Sequence, residues 1–74
     1  MNLPVVSGLE VIKRLKKIGF LVIRQKGSHI RLEKFNGKKT LKITVPLHKE
    51  LKKGTLNIIL KESELTVEEF EKLK

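Results

Sequence analysis

Cysteine is absent from these 74 residues, which excludes disulfides, a thiolate metal site and a cysteine nucleophile together. Tryptophan and tyrosine are missing too, and the aromatic residues are Phe20, Phe35 and Phe70, so there is little on which unpaired bases can stack. Aspartate does not occur, and all eight carboxylate side chains are glutamates. No apolar run approaches the ~18 residues of a membrane span, and no signal-peptide core opens the chain. A chain of this length buries only roughly 60–65% of the surface its unfolded form exposes. The expectation is a thin core in one domain over residues 1–74, soluble and cytoplasmic, with no membrane contact.

What the chain does have is positive charge. Seventeen Lys and Arg against eight Glu give a net of +9. The excess is uneven: up to Lys53 there are fourteen cations and three glutamates, whereas residues 54–74 hold three and five. Phosphate is the partner such a balance points to, with a well-solvated surface as the alternative.

Single Gly and Pro residues punctuate the chain. Ser7 followed by Glu10 reads as a capping box, with Val6 and Val11 at staple positions, and Gly19 is placed to end the helix in a left-handed cap. Between them Leu9, Ile12, Leu15, Lys16 and Ile18 follow helical spacing, with Lys13, Arg14 and Lys17 on the outer, cationic side. Phe20 to Gln25 and His29 to Lys34 read as a hairpin broken at Lys26-Gly27-Ser28. Asn36-Gly37 signals a second hairpin, with Thr40 to Val45 as the third strand and Pro46 as its stop. A basic loop through Lys49, Lys52 and Lys53 then leads to Gly54. Thr55 is expected to cap a short helix bearing Leu56, Ile59 and Leu60, and a capping box from Thr66 to Glu69 opens a last turn containing Phe70 and Leu73. The fold class is α+β, in the order α-β-β-β-α, with a three-stranded antiparallel sheet and its helices on one face. Ile30, Leu32, Leu41, Ile43 and Val45 mark the buried face, so His29, Arg31, Glu33, Lys42 and Thr44 point away from it, with Lys26 and Ser28 close by in the turn.

Several chemistries fail on these residues. Glu68, Glu69 and Glu71 sit together on the tail helix, where they complement its dipole rather than form a catalytic pair. His29 and His48 with Glu33 or Glu50 have no metal-ligand spacing, and no phosphate-cradling glycine loop or cofactor motif is present. What remains is His29 on an exposed cationic strand. An imidazole accepts and donates protons near neutrality, and RNA cleavage by the ribose 2′-hydroxyl needs a base, an acid and positive charge on the phosphorane-like transition state. His29 can supply the proton transfer, and Arg24, Lys26, Arg31 or Lys42 the charge. From residues alone a hydrogen-bonded or solvated imidazole is the commoner case, and catalysis the rarer one. His48, in the Pro46-Leu47-His48 corner, reads as structural and as a secondary candidate.

Five stretches in order carry a resemblance over nearly the whole chain. They are Glu10-Val11-Ile12-Lys13 running to Ile18-Gly19-Phe20, Arg24-Gln25-Lys26-Gly27-Ser28-His29, Thr44-Val45-Pro46-Leu47-His48, Gly54-Thr55-Leu56 with Ile58 to Lys61, and Leu65-Thr66-Val67-Glu68-Glu69-Phe70. In these the chain resembles the HicA mRNA-interferase toxins, the YcfA-like family. The resemblance implies a fold similar to double-stranded-RNA-binding domains, metal-independent RNA cleavage, His29 as the functional histidine of the Gly-Ser-His motif, and a HicB-type antitoxin partner covering that surface. Leu9 stands where many relatives carry a polar residue. The expected function is that of a toxin endoribonuclease acting on mRNA, with RNA bound by Arg24, Lys26, Ser28, Arg31 and Lys42. The alternatives are a non-catalytic RNA-binding module and a partner-binding adaptor with an incidental basic surface.

Overall fold

A computed structural model describes residues 3–74. The elements run α1 (Gly8–Lys17), β1 (Leu21–Lys26), β2 (His29–Phe35), β3 (Thr40–Pro46), α2 (Lys53–Glu62) and α3 (Val67–Glu71). The strands form one antiparallel sheet in the order β1-β2-β3. This is the α+β arrangement the patterning predicts. Among the described residues no helix is long and apolar enough to cross a membrane.

The sheet buries one face. Ile30, Leu32, Leu41, Ile43 and Val45 lie in the core with Val11, Ile12 and Leu15 of α1, Leu56, Ile59 and Leu60 of α2, and Phe20 and Phe70. Both long helices pack chiefly against β3. All six residues of β1 are therefore exposed, and Leu21, Val22 and Ile23 present apolar surface on an edge strand.

Local chemistry sets the ends of α1. The Glu10 backbone N–H donates to the Ser7 hydroxyl at 3.0 Å, and Val6 and Val11 are both buried in the core. At the other end Gly19 takes φ +103°, while the N–H groups of Gly19 and Phe20 donate to the carbonyls of Lys16 and Leu15. That pair of bonds is a Schellman motif, and glycine meets its left-handed position without the Cβ clash.

Four expectations need correction here. Only half of the first capping box forms, because the Glu10 carboxylate turns along the helix to accept from Arg14 Nε at 2.7 Å. Arg14, assigned to the outer face, is only 5% exposed. Its guanidinium lies 4.5 Å above the Phe70 ring and reaches Glu71 at 3.4 Å, so α3 covers a flank of α1 that a helical wheel assigns to solvent. Leu9, expected in the apolar stripe, is 69% exposed, and Lys16 is exposed with it. Finally, α2 starts at Lys53 with Lys52 at the N-cap position and no side-chain cap bond, so Thr55 lies inside the helix. Buried Leu51 and Leu56 occupy staple positions around that start, and the Leu51 N–H bonds the Val6 carbonyl at 2.9 Å. Apolar anchoring takes the place of a polar cap. The second capping box, Thr66 with Glu69, forms in full.

The bond from Arg14 holds the Glu10 carboxyl below its ordinary value of 4.5, and bonds from Thr66 do the same for Glu69. A lowered carboxyl contributes stability that is complete above the unfolded value and is lost as pH falls through the folded one. Thermal melts should therefore weaken progressively below pH 4.5. Arg14→Met keeps the buried stem but removes the charge over Phe70, a loss of roughly 2 kcal/mol and hence roughly 8–16 °C in Tm at neutral pH. Its melts should also depend less steeply on pH below 4.5, since Glu10 loses the partner that depresses it. Wild-type Tm in this variant at neutral pH would show that the guanidinium holds nothing together.

Candidate functional site

The β1–β2 hairpin builds the site. Its loop is the pair Gly27-Ser28 between the partners Lys26 and His29. Gly27 supplies φ +60° at the first loop position, where a two-residue hairpin turn of the II′ kind places glycine. Across the sheet, residues directly opposite share a face. One row reads Lys26, His29, Pro46, and two rows away stands Arg24, Arg31, Thr44. The strands thereby gather Arg24, Lys26, Gly27, His29, Arg31 and Thr44 around one open groove of about 540 Å³.

A bulge makes that assembly possible. From Leu21 opposite Glu33 and Val22 opposite Leu32, the register shifts so that Arg24, not Ile23, faces Arg31. Ile23 is the extra residue. Continuing the register of Leu21 and Val22 would set Arg24 opposite core-facing Ile30; the shift sets Arg24 and Lys26 beside His29 and Arg31.

Within the groove Arg31 is half-buried, and its Nε is shielded from solvent with no hydrogen-bond partner among the described residues. The Glu33 carboxylate approaches that atom only to 3.7 Å, beyond hydrogen-bonding range. A buried donor of a charged group without a close acceptor carries a free-energy penalty, which the Glu33 charge beside it offsets in part. Thr44 brings a hydroxyl to the same wall. Its outward direction follows from the alternation, but nothing in the sequence marks it as a site residue.

Lys42 and Ser28, also expected at the site, are not among the groove-lining residues. Lys42 shares the outer face but sits opposite Glu33, one outward row beyond Arg31. Ser28 belongs to the turn, where its carbonyl accepts the Leu47 N–H at 2.7 Å. His48 does not line the groove either. Its side chain is exposed, and its carbonyl accepts the Gly8 N–H at 2.9 Å. A Cβ on Gly8 would collide with the Pro46 carbonyl oxygen, so the start of α1 presses directly onto the end of β3. The structural part played by His48 is thus carried by its backbone.

Among the described residues no three His or Glu side chains converge as metal ligands. The groove instead offers one imidazole for proton transfer, three permanent cations and a hydroxyl, and none of its lining residues is acidic. Such a site attracts a phosphodiester and can move a proton on or beside it.

The family model described as the HicA toxin of bacterial toxin-antitoxin systems matches residues 8–65. That span runs from the first residue of α1 to just past α2 and includes every groove-lining residue. No curated protein matches the chain.

If the groove concentrates the chain's positive field, charge removed there should count for more than the same charge removed elsewhere. Replacing Arg24 and Lys26 together by Gln should bring elution from immobilised heparin to lower salt than replacing Lys38 and Lys39, which lie in the β2–β3 loop. Equal elution of the two double variants would mean that only net charge matters.

Proposed function

We propose that this chain, which belongs to the HicA toxin family of bacterial toxin-antitoxin systems, is a metal-independent endoribonuclease that cuts mRNA, with His29 as its proton-transfer group. The observation that carries the reading is the convergence of His29 with Arg24, Lys26 and Arg31 in one groove. Cleavage here needs no external nucleophile. The ribose 2′-hydroxyl gives its proton to the His29 imidazole and attacks the adjacent phosphorus, the bond to the 5′-oxygen breaks, and that oxygen takes a proton from the imidazolium or from water. The products are a 2′,3′-cyclic phosphate and a 5′-hydroxyl. Arg24, Lys26 and Arg31 stabilise the charge that builds on the phosphoryl oxygens, and Thr44 donates a further bond. Lys42 and Ser28 bind the chain beyond the scissile phosphate.

The partner reading follows from the same charges. A HicB-like antitoxin of acidic surface, seated over the outer face of the sheet, would neutralise the groove and exclude RNA together. Leu9, exposed on α1, offers a separate apolar contact on the helix side of the sheet.

Two experiments test these statements. His29→Ala should lower the cleavage rate by ~10²–10⁴ and abolish growth arrest, with oligonucleotide affinity within a few-fold of wild type and an unchanged Tm, because the side chain is exposed and leaves no cavity. Wild-type cleavage should persist in EDTA, and His48→Ala should lose far less. Normal cleavage by His29→Ala with a dead His48→Ala reverses the assignment of the histidine; normal cleavage by both ends this mechanism. Co-expression of a HicB-like protein should restore growth. A bound antitoxin that left cleavage intact would rule out occlusion.

A further inference from the structure

The chain's three aromatic residues have opposite fates. Phe20 and Phe70 are buried in the core, whereas Phe35 is 67% exposed. An exposed phenyl ring at a strand end contributes almost nothing to folding, so its position invites a different explanation.

Alternation along β2 puts Phe35 on the outer face with His29, Arg31 and Glu33. Its cross-strand partner Thr40 is exposed as well. Lys34, one residue earlier, turns to the inner side, its Nζ 5.7 Å from the centre of the Phe20 ring. Phe35 therefore shares a face with the groove, displaced along β2 by roughly 20 Å at ~3.3 Å per residue. One cation lies beside the way, Lys42 opposite Glu33. Leu21, also opposite Glu33 and exposed, lies diagonally beside Phe35 and adds an apolar flank.

We propose that Phe35 is a base-stacking subsite for single-stranded RNA, holding a nucleotide a short way along the strand from the phosphate cut beside His29. This rests on the ribonuclease reading and narrows its substrate. A phenyl face takes any unpaired base, whereas bases stacked within a duplex have no free face to offer. An RNA strand stacked at ~3.4 Å per nucleotide crosses the gap in about six nucleotides, and an extended one in fewer. Lys42 beside the path binds a phosphate, so the subsite sets where along an unpaired strand the groove engages. The scarcity of aromatics leaves one stacking platform rather than none, and it lies on the candidate face.

The natural chain has no tryptophan, so Phe35→Trp installs a single indole reporter at the subsite. Titration with 2′-O-methyl oligonucleotides, whose blocked hydroxyl prevents cleavage, should quench that indole. An abasic oligomer of equal length and charge should not. Phe35→Ala should weaken binding of the base-containing oligomer roughly 5- to 150-fold and leave the abasic one unaffected, with an unchanged Tm. On longer cleavable RNA it should raise KM while kcat is held. Equal affinity of Phe35→Ala and wild type, with cleavage intact, would overturn the subsite and spare the ribonuclease reading. So would an effect of Phe35→Ala confined to antitoxin binding. Wild-type protein that neither binds nor cleaves RNA would overturn both.

Discussion

A one-residue slip of β2 against β3 would carry Ile30 and Leu32 out to solvent and drive His29, Arg31 and Glu33 under the helices. The molecule has no way to absorb that exchange. Its core is built largely on one face of this sheet, and two ionised side chains and an imidazole have no partners waiting beneath α1 and α2. The pairing of Ile30 with Val45 and of Leu32 with Ile43 therefore fixes two things together. It assembles the hydrophobic layer that holds a small domain folded, and it displays His29 and Arg31 side by side on the opposite surface. Stability and the candidate chemistry occupy the two faces of the same strands.

This division explains how side chains outside the groove shape it. The helices lie over β3 and leave β1 as an uncovered edge, so the strand that contributes Arg24 and Lys26 is held mainly by its ladder to β2. The far side of the domain compensates. Arg14 bridges α1 to α3 through Phe70 and Glu71, and Gly8 lets the helix start meet the backbone at the end of β3. The Gly8 bond to the His48 carbonyl and the Leu47 bond to the Ser28 carbonyl then tie the corner after β3 to both α1 and the β1–β2 turn. A rigid corner beside a short turn limits how far His29 can move relative to the cations around it, which is what a preorganised site requires.

Much of this was legible from residue patterns because each signal was local. Alternation from His29 to Lys34 and from Thr40 to Val45 identified the buried face correctly, and Gly19 marked the end of α1. What escaped depended on a distant neighbour at Arg14 and, at Glu10, Glu64 and Thr55, on a local arrangement other than the usual one. Arg14 sits among lysines on a helical wheel, and only the arrival of α3 reveals that Phe70 waits over it. Glu10 stands at a capping position, yet Arg14 offers its carboxylate a charged partner and takes it from the cap. The end of α2 repeats the Schellman geometry of α1 with Glu64 at φ +60° in the left-handed position, so no glycine announced it. Thr55 looked like a cap because caps are usually polar, whereas Leu51 and Leu56 hold that helix start by packing.

The groove itself turns on a residue with no polar group. In β1, period-two alternation would assign Leu21, Ile23 and Gln25 to one face and Val22, Arg24 and Lys26 to the other. The observed ladder breaks that rule at Ile23, so that Leu21, Arg24 and Lys26 all lie on the outer face, opposite Glu33, Arg31 and His29. An exposed edge strand accommodates such an extra residue more easily than a central one, because little packs on its inner side and no further strand must follow the shift. Exposure of β1 and the gathering of cations around His29 thus have one cause. The same helices that withhold cover from β1 leave it free to bulge, and the bulge sets two basic side chains of the edge strand beside the imidazole that opens the central one.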